Sequence, residues 1–584
     1  MIGDVYAYNS SLIEQEIKPV FTNKTYNYTD DQNTNYSTSQ IKFDISSLYN
    51  QTKFVSAKEM VLVIPIVSVL SVSKGADKAT KGLLPNNSYC MGFKSGYFNL
   101  VSSMQIVYDN QTIQQNCSNL NYLVNFNKLC SLSGEKQKKD QYTTSFIPDR
   151  FDSWEYNTSV SGAGNGLCNN DPCFVADDLK SKMRVNDFNK SYFKRMKKSG
   201  FVTEPFLMAE SEIRSELKSY SVCDNDKYVM YDLAQIRLGD LSSFFDNLPL
   251  MKSFNCSITL DLNLGSLKMK YHPDLTVFNQ GVLSLNAQDI DFRKGCCPLM
   301  VSPVGKGLNL QALTDVTEIV IGIHVVSVLS TKGSVSQNTL KIADHALTKC
   351  RIYVPMITMN EVLESKYLSE LSKKRVFFND FNYHTLFKVG AGSNINFSLS
   401  NTLSNLRGLL VIPFLSSEIN GVYSTTTAIA KVVAAAGVVG VNGLDAISEN
   451  KLGFSPVVSP FTSEPSNTSP LMKITDYNIQ LGGENIYAQN LQYGFQQYQN
   501  EVSCLNALSG NQDSVVSSGL INQEMWMNNY RYYYTDLSRK LQDNQMKSVQ
   551  IIGRNASVVP MDLHIYLIYS KEAIIDILTG KLLM

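Results

Sequence analysis

The segment DLHIYLIYS at Asp562–Ser570 alternates so that Leu563, Ile565, Leu567 and Tyr569 fall on one face and His564, Tyr566, Ile568 and Ser570 on the other. Period two over this length is a strand with one buried face, and such a strand needs a second layer to cover it. Regular structure is thus expected almost to the last residue, and Lys581 to Met584 leave little room for an anchor or tail. In the run from Val61 to Val67, Val61, Val63, Pro65 and Val67 alternate with Leu62, Ile64 and Ile66. Apolar on both faces, it reads as an interior strand, with Pro65, which lacks a ladder donor, near a strand end or edge. A third alternating strand is expected through Ile258, Leu260, Leu262 and Leu264. A short helix containing Leu241, Phe244 and Phe245 precedes it, capped by Asp240 or a neighbour and stopped by Pro249.

The 584 residues are too many for one core, and 31 Tyr and 27 Phe against two Trp suit many half-buried pleated surfaces. Both point to an all-β body. The 52 basic side chains equal the 52 acidic ones, so no overall field draws the chain to nucleic acid or anionic lipid, and any such contact is local. The N-terminus shows no basic, then apolar, secretory pattern. The 11 Cys are scattered without a disulfide framework, which fits reduced packing thiols. Asn-x-Ser/Thr triplets at Asn27, Asn50, Asn110, Asn467 and Asn555 are read as chance in an Asn- and Ser-rich chain. The apolar window Ala428 to Val441 is broken by Lys431 and is too short to span a bilayer.

Along the chain, residues 1–40 are polar and aperiodic and read as an extended N-terminal arm. Residues of about 75–200 are rich in turn formers and charge and read as long insertions between strands. A helix is expected in the segment from Glu204 to Tyr220. The grammar then repeats: VLVIPI at Val61–Ile66 has a counterpart in RIYVPMI at Arg351–Ile357, and Asn394 to Ser416 again reads as a short amphipathic segment feeding an apolar strand. Asp315 to Ser330 reads as a strand closing a first domain, parallel in role to Asp562–Ser570. Two β-sandwiches follow, 41–335 and 336–584, with the boundary in the polar stretch 331–344.

Five strings resemble the double jelly-roll major capsid proteins of small eukaryotic double-stranded DNA viruses, the virophage and polinton-like group. They are IRLGDLSSFFDNLPLMKSFNCSITLDLN (Ile236–Asn263), CRIYVPMITMNEVLESKYL (Cys350–Leu368), LSNLRGLLVIPFLS (Leu403–Ser416), SPFTSEPSNTSP (Ser459–Pro470) and the C-terminal DLHIYLIYSKEAIIDILTG. They stand in the family's order and span most of the chain after residue 230. The resemblance implies an all-β chain of two eight-stranded antiparallel jelly rolls side by side, with short flanking helices and long loop insertions. It also implies homotrimers that act as pseudo-hexameric capsomers of an icosahedral shell around a double-stranded DNA genome. The implied setting is the virion, assembled inside the host cell. The implied partners are further copies of the chain, a minor penton protein and, by weak local contact, the packaged DNA. The long insertions are candidates for an outer tower or for interlocking between copies. No enzyme activity and no cofactor are expected. A receptor- or carbohydrate-binding β-sandwich of a viral surface or fibre is the alternative, suggested by the Tyr- and Asn-rich loops.

Among individual residues, Arg351 and Arg407 each stand beside an apolar run inside a family-like string. They could form buried or interface ion pairs, with Asp240 and Asp246 as possible acceptors. Lys194, Arg195, Lys197 and Lys198 lie in the most basic stretch, interleaved with Phe188, Tyr192 and Phe193. A solvated insertion is the first reading there, and contact with nucleic acid the second. Cys168 with Cys173, and the adjacent Cys296 and Cys297, lack the paired spacing or nearby His of a zinc site. The five His never form HExxH, and neither a phosphate-binding P-loop nor a GxSxG elbow occurs, so no catalytic, metal or cofactor residue is assigned.

Overall fold

The computed structural model describes residues 21–32, 39–46, 53–74, 89–148, 191, 195, 221–224, 227–271, 283–285, 297–303, 317–325, 349–370, 373–399, 403–415, 472–508, 518–528, 530–539, 546–557 and 560–583. Among the described residues, sixteen of the strands form two sets of eight. The first set is β1 (Phe21–Asp30), β2 (Gln40–Asp44), β3 (Val61–Lys74), β4 (Val101–Tyr108), β5 (Gln111–Gln114), β6 (Lys227–Arg237), β7 (Cys256–Leu262) and β8 (Arg351–Met359). The second is β9 (Lys373–Val389), β10 (Asn394–Leu399), β11 (Leu406–Leu415), β12 (Ile474–Leu481), β13 (Glu484–Asn485), β14 (Tyr533–Asp536), β15 (Val549–Asn555) and β16 (Met561–Asp576). In the first set the sheets run β1-β8-β3-β6 and β2-β7-β4-β5. In the second they run β9-β16-β11-β14 and β10-β15-β12-β13, and every pairing is antiparallel. Eight strands in two sheets with this order make a jelly roll, and the chain holds two of them.

The inner faces follow from alternation. Cys256, Ile258, Leu260 and Leu262 of β7 are buried while the residues between them are half-buried, and Val549 and Ile551 of β15 do the same in the second roll. Three short strands between β7 and β8, Gly265–Tyr271, Leu283–Leu285 and Thr317–Val325, extend the first sheet. Thr317–Val325, expected to close the first half, pairs with β3 and Gly265–Tyr271, and the eighth position belongs to Arg351–Met359. A cut at 331–344 therefore separates β8 from the sheet it completes. Nor is all of 1–40 an arm: Phe21–Asp30 is β1, in register with β8 from Asn23 opposite Thr358 to Asp30 opposite Arg351. Its Thr, Asn and Lys residues hid it, because its place is fixed by main-chain pairing and none of its side chains joins the core.

The two proline-bearing runs obey one rule. Along one side β3 pairs with β8 over Val61–Val63 and with Thr317–Val325 over Ile66–Lys74, so Pro65 falls at the changeover in an interior strand. On β8, Pro355 falls between the stretch paired with β3 and the stretch paired with Phe54–Val55. At both places the ladder is interrupted in any case, so a missing N–H costs little.

The helices are α1 (Leu120–Ser131), α2 (Gly134–Thr144), α3 (Leu238–Leu241), α4 (Ser243–Asn247), α5 (Glu361–Glu370), α6 (Phe495–Leu508) and α7 (Gln523–Asn528). The cap of α4 is Ser242, whose Oγ accepts from Phe244 N at 3.4 Å. The region of 75–200 read as insertions contains β4, β5, α1 and α2. SGEKQKKD there is a helix start, with Ser133 Oγ accepting from Lys136 N, rather than a turn. Asn394–Leu399 is a strand, because Ile395, Phe397 and Leu399 recur every second residue. The helix expected at 204–220, the window 428–441 and Ser459–Pro470 lie outside the described residues.

Candidate functional site

The second roll presents two covered faces, not one. Leu563, Ile565 and Leu567 of β16 enter its own core. The opposite face carries His564, Tyr566 and Ile568, continued across the sheet by Phe381 and Tyr383 of β9, Leu410 and Ile412 of β11 and Tyr534 of β14. Helix α1, supplied by the connection between β5 and β6 of the first roll, lies on that outer face. Tyr122 meets Phe414 and His564 edge-on with ring centroids 5.7 and 5.8 Å away, and Phe126 meets Tyr532 and Tyr534 at 5.2 and 5.5 Å. Tyr122, Phe126, Leu129 and Cys130 are spaced i, i+4, i+7 and i+8, a helical stripe that identifies α1 in the sequence and that the reading above passes over.

At the head of α1 the polar groups interlock. Asn119 Nδ2 donates to Tyr383 Oη at 2.7 Å, and Tyr566 Oη donates to Asn119 O at 2.8 Å. His564 Nδ1 lies 2.6 Å from Tyr383 Oη, within hydrogen-bonding distance. Burial drives its pKa down to about 4, with the Asp562 carboxylate pulling the other way. Burial also raises the Tyr383 phenol. At the far end, Cys130 Sγ lies 3.1 Å from Tyr498 Oη on α6, and Leu520 N donates to Leu129 O at 2.8 Å. Gly519 has φ +71°, and a Cβ there would run into the Leu129 and Cys130 carbonyls, so the second roll's chain can approach α1 this closely only without a side chain.

Further clips join the rolls. Lys571 Nζ donates to Ile113 O at 2.9 Å and to Asp380 Oδ2 at 2.6 Å, and Tyr569 Oη shares that carboxylate at 3.0 Å. Ser243 Oγ accepts from Asn379 N at 2.8 Å, Phe244 packs on Phe378, and Leu582 N donates to Asp109 Oδ2 at 3.0 Å. Buried residues of both rolls form one continuous apolar cluster.

The corresponding outer face of the first roll differs at β1 and β8. The register sets Lys24, Tyr26, Tyr28 and Asp30 of β1 opposite Ile357, Pro355, Tyr353 and Arg351 of β8. Tyr26 and Tyr28 are 59% and 53% exposed, and Phe21 is also exposed. Arg351 Nε donates to Asp30 Oδ1 at 2.7 Å while its guanidinium stacks 3.8 Å above the Tyr28 ring. That hydrogen bond raises the Arg351 pKa against the effect of burial. Lys24 pairs with Glu59 and lies over the Tyr26 ring. Along its other edge β1 pairs with no strand among the described residues.

Arg351 thus sits on this face with Asp30 as partner, an acceptor from the segment read as an arm. Asp240 and Asp246 lie elsewhere in the first roll. Asp240 pairs with Lys128 at 2.7 Å and Arg237 at 3.3 Å, and Asp246 with Arg237 at 3.5 Å. Desolvation raises the Asp246 pKa, Arg237 opposing it. Arg407, half-buried on β11, accepts from Leu537 N through its carbonyl and makes no ion pair among the described residues. Arg195 is buried and donates to the Phe93 and Ile147 carbonyls, which removes it from the reach of a phosphate. Lys194, Lys197, Lys198, Cys168, Cys173 and Cys296 lie outside the described residues. Asn555 is buried, its amide donating to the Val389 and Gly390 carbonyls, so that triplet is structural. Among the described residues no group of three or more His, Cys, Asp or Glu could hold a metal ion, and no helix is long and apolar enough to cross a membrane.

No protein-family model and no curated protein matches the chain. Among solved structures it is similar to a chain of the Sputnik virophage at 9% identity and TM-score 0.46, covering 98% of this chain and 90% of that one. It is similar to the mavirus major capsid protein at 10% identity and TM-score 0.41, covering 99% and 94%, and to the Faustovirus major capsid protein at 10% identity and TM-score 0.40, covering 98% and 94%. The class of the fold rests on its own strand order: the chain is a double jelly roll.

Proposed function

We propose that the chain is a major capsid protein whose work is assembly: homotrimers that tile an icosahedral shell around double-stranded DNA in the virion. The observation that carries this is the duplication of one strand order, 1-8-3-6 and 2-7-4-5, in a single chain. Three such chains in a closed ring present six like wedges, so a three-fold particle fits a six-neighbour lattice. The same geometry leaves five-fold vertices to a different protein, the minor penton partner, because six wedges do not fill a five-fold position. The rolls are assigned to 21–359 and 373–584, joined by α5, in place of the boundary at 331–344. The role is architectural rather than enzymatic, contact with the genome is local, and assembly takes place inside the host cell.

Native mass measurement tests this. Three copies of a 65.2 kDa chain give about 200 kDa at micromolar concentration. A chain that stays at the single-copy mass under those conditions contradicts it.

A further inference from the structure

We propose that the contact between α1 and the second roll is an acid-released latch: protonation of His564 frees the helix from the sheet beneath it while both jelly rolls stay folded. The joint lies within one chain, so the latch does not depend on the capsomer reading. His564 is ringed by aromatic side chains from three other elements. Tyr383 of β9 stacks on it, while Tyr122 of α1 and Phe414 of β11 meet it edge-on with centroids 5.8 and 4.7 Å away. Tyr566 stands two residues along its own strand. Among the described residues, the charged group acting on it is the Asp562 carboxylate, which is buried and already accepts from Lys388 N at 2.8 Å. His564 keeps partial exposure, so a proton reaches it without prior unfolding.

In a neutral imidazole one nitrogen donates and the other accepts, whereas in the imidazolium both donate. Nδ1 must then donate to Tyr383 Oη, the oxygen that Asn119 Nδ2 already occupies at 2.7 Å. The charge also calls for water, and the side from which α1 covers the ring is where Tyr122 and Asn119 stand. The lowered pKa of His564 has the direction this requires: burial works against the charged form and outweighs Asp562. The head of α1 is set to give way. Asn119 occupies its N-cap position at φ +59° and makes no cap hydrogen bond, its side chain being engaged with Tyr383. Once released, that amide is free to cap the helix, a favoured role for Asn. α1 itself stays with the first roll through the Lys128–Asp240 ion pair and through Asn121 Nδ2, which donates to Asn99 Oδ1 at 3.4 Å. The clips at Ser243–Asn379 and Asp109–Leu582 do not involve His564 and keep the rolls joined.

The test is amide hydrogen exchange on the full-length protein at about pH 7.5 and about pH 4.5, corrected for the intrinsic pH dependence of exchange and read by mass spectrometry. A short helix that loses one of its packing faces frays. Protection of Leu120–Ser131 is therefore expected to fall about tenfold or more in acid, while Cys256–Leu262 of β7 keeps its protection. His564→Gln, which removes the titrating group, should abolish most of that fall. His384→Gln, a change at the other histidine shifted down by burial, should leave it in place. A parent whose α1 loses protection only in step with β7, or not at all, overturns the latch. So does a His564→Gln variant, folded by circular dichroism, that shows the full fall of the parent. Should that variant not fold, the comparison of α1 with β7 in the parent decides by itself.

Discussion

The two jelly rolls share a strand order and differ in how each is finished. The second roll's outer sheet face is roofed by a helix that the first roll lends it, with Tyr122 and Phe126 packed on β11, β14 and β16. On the first roll's outer face, β1 carries two exposed tyrosines. The first strands differ in the same sense. β9 buries Val376, Phe378, Phe381 and Val389, whereas β1 buries no apolar side chain and is held by main-chain pairing with β8. Topology thus sets the position of a strand, while neighbours decide how much stability its side chains supply.

If the roof over the second roll matters as much as this contrast implies, Phe126→Ala should be the most damaging of the changes considered. It should cost about 3–5 kcal/mol in denaturant unfolding, as for other buried aromatic truncations. A loss below about 1 kcal/mol would mean that α1 merely rests on the sheet.

The pH dependence of the roof comes next. His564 titrates at about 4 when folded and near its ordinary 6.5 when unfolded, so the unfolded chain binds the extra proton first as pH falls. Its contribution is therefore complete above pH 6.5 and is lost as pH falls from 6.5 to 4, amounting to at most about 3 kcal/mol. The partly buried His384, also shifted down by burial, adds in the same direction. Thermal unfolding of His564→Gln across this range should show a clearly shallower pH slope than the parent. An unchanged slope would remove His564 from the explanation.

Gly519→Ala, which sets a Cβ against the α1 carbonyls at a left-handed φ, should cost about 2 kcal/mol by the same unfolding measurement. On the first roll's face, Tyr28→Ala should leave single-copy stability within about 0.5 kcal/mol, since its ring is exposed. A large loss there would erase the contrast between the faces.

Much of this architecture is legible in the residues. The alternation at Val61–Val67, Cys256–Leu262 and Leu563–Leu567 identifies strands because each has an apolar face to bury, whereas VIPI and VPMI, read as counterparts in two domains, are neighbouring strands β3 and β8 of the same roll. The failures share a cause: the decisive partner is distant in sequence. β1 lacks an apolar stripe, so only its pairing with β8, more than 300 residues away, reveals it. Thr317–Val325 and Arg351–Met359 carry equally apolar patterns, and sheet order alone tells which of them closes the first roll. The second face of β16 reads as the solvent side because α1, which covers it, belongs to the other roll. Arg351 pairs with Asp30 rather than with Asp240 or Asp246, because the β1–β8 register sets Asp30 opposite it.

Imaging of the purified chain by cryo-electron microscopy bears most directly on the duplication and its consequence. Three copies of a double roll should appear end-on as a six-lobed ring with three-fold symmetry, each copy supplying two adjacent lobes. Two-lobed single molecules at micromolar concentration, or particles with two-fold symmetry, would contradict it.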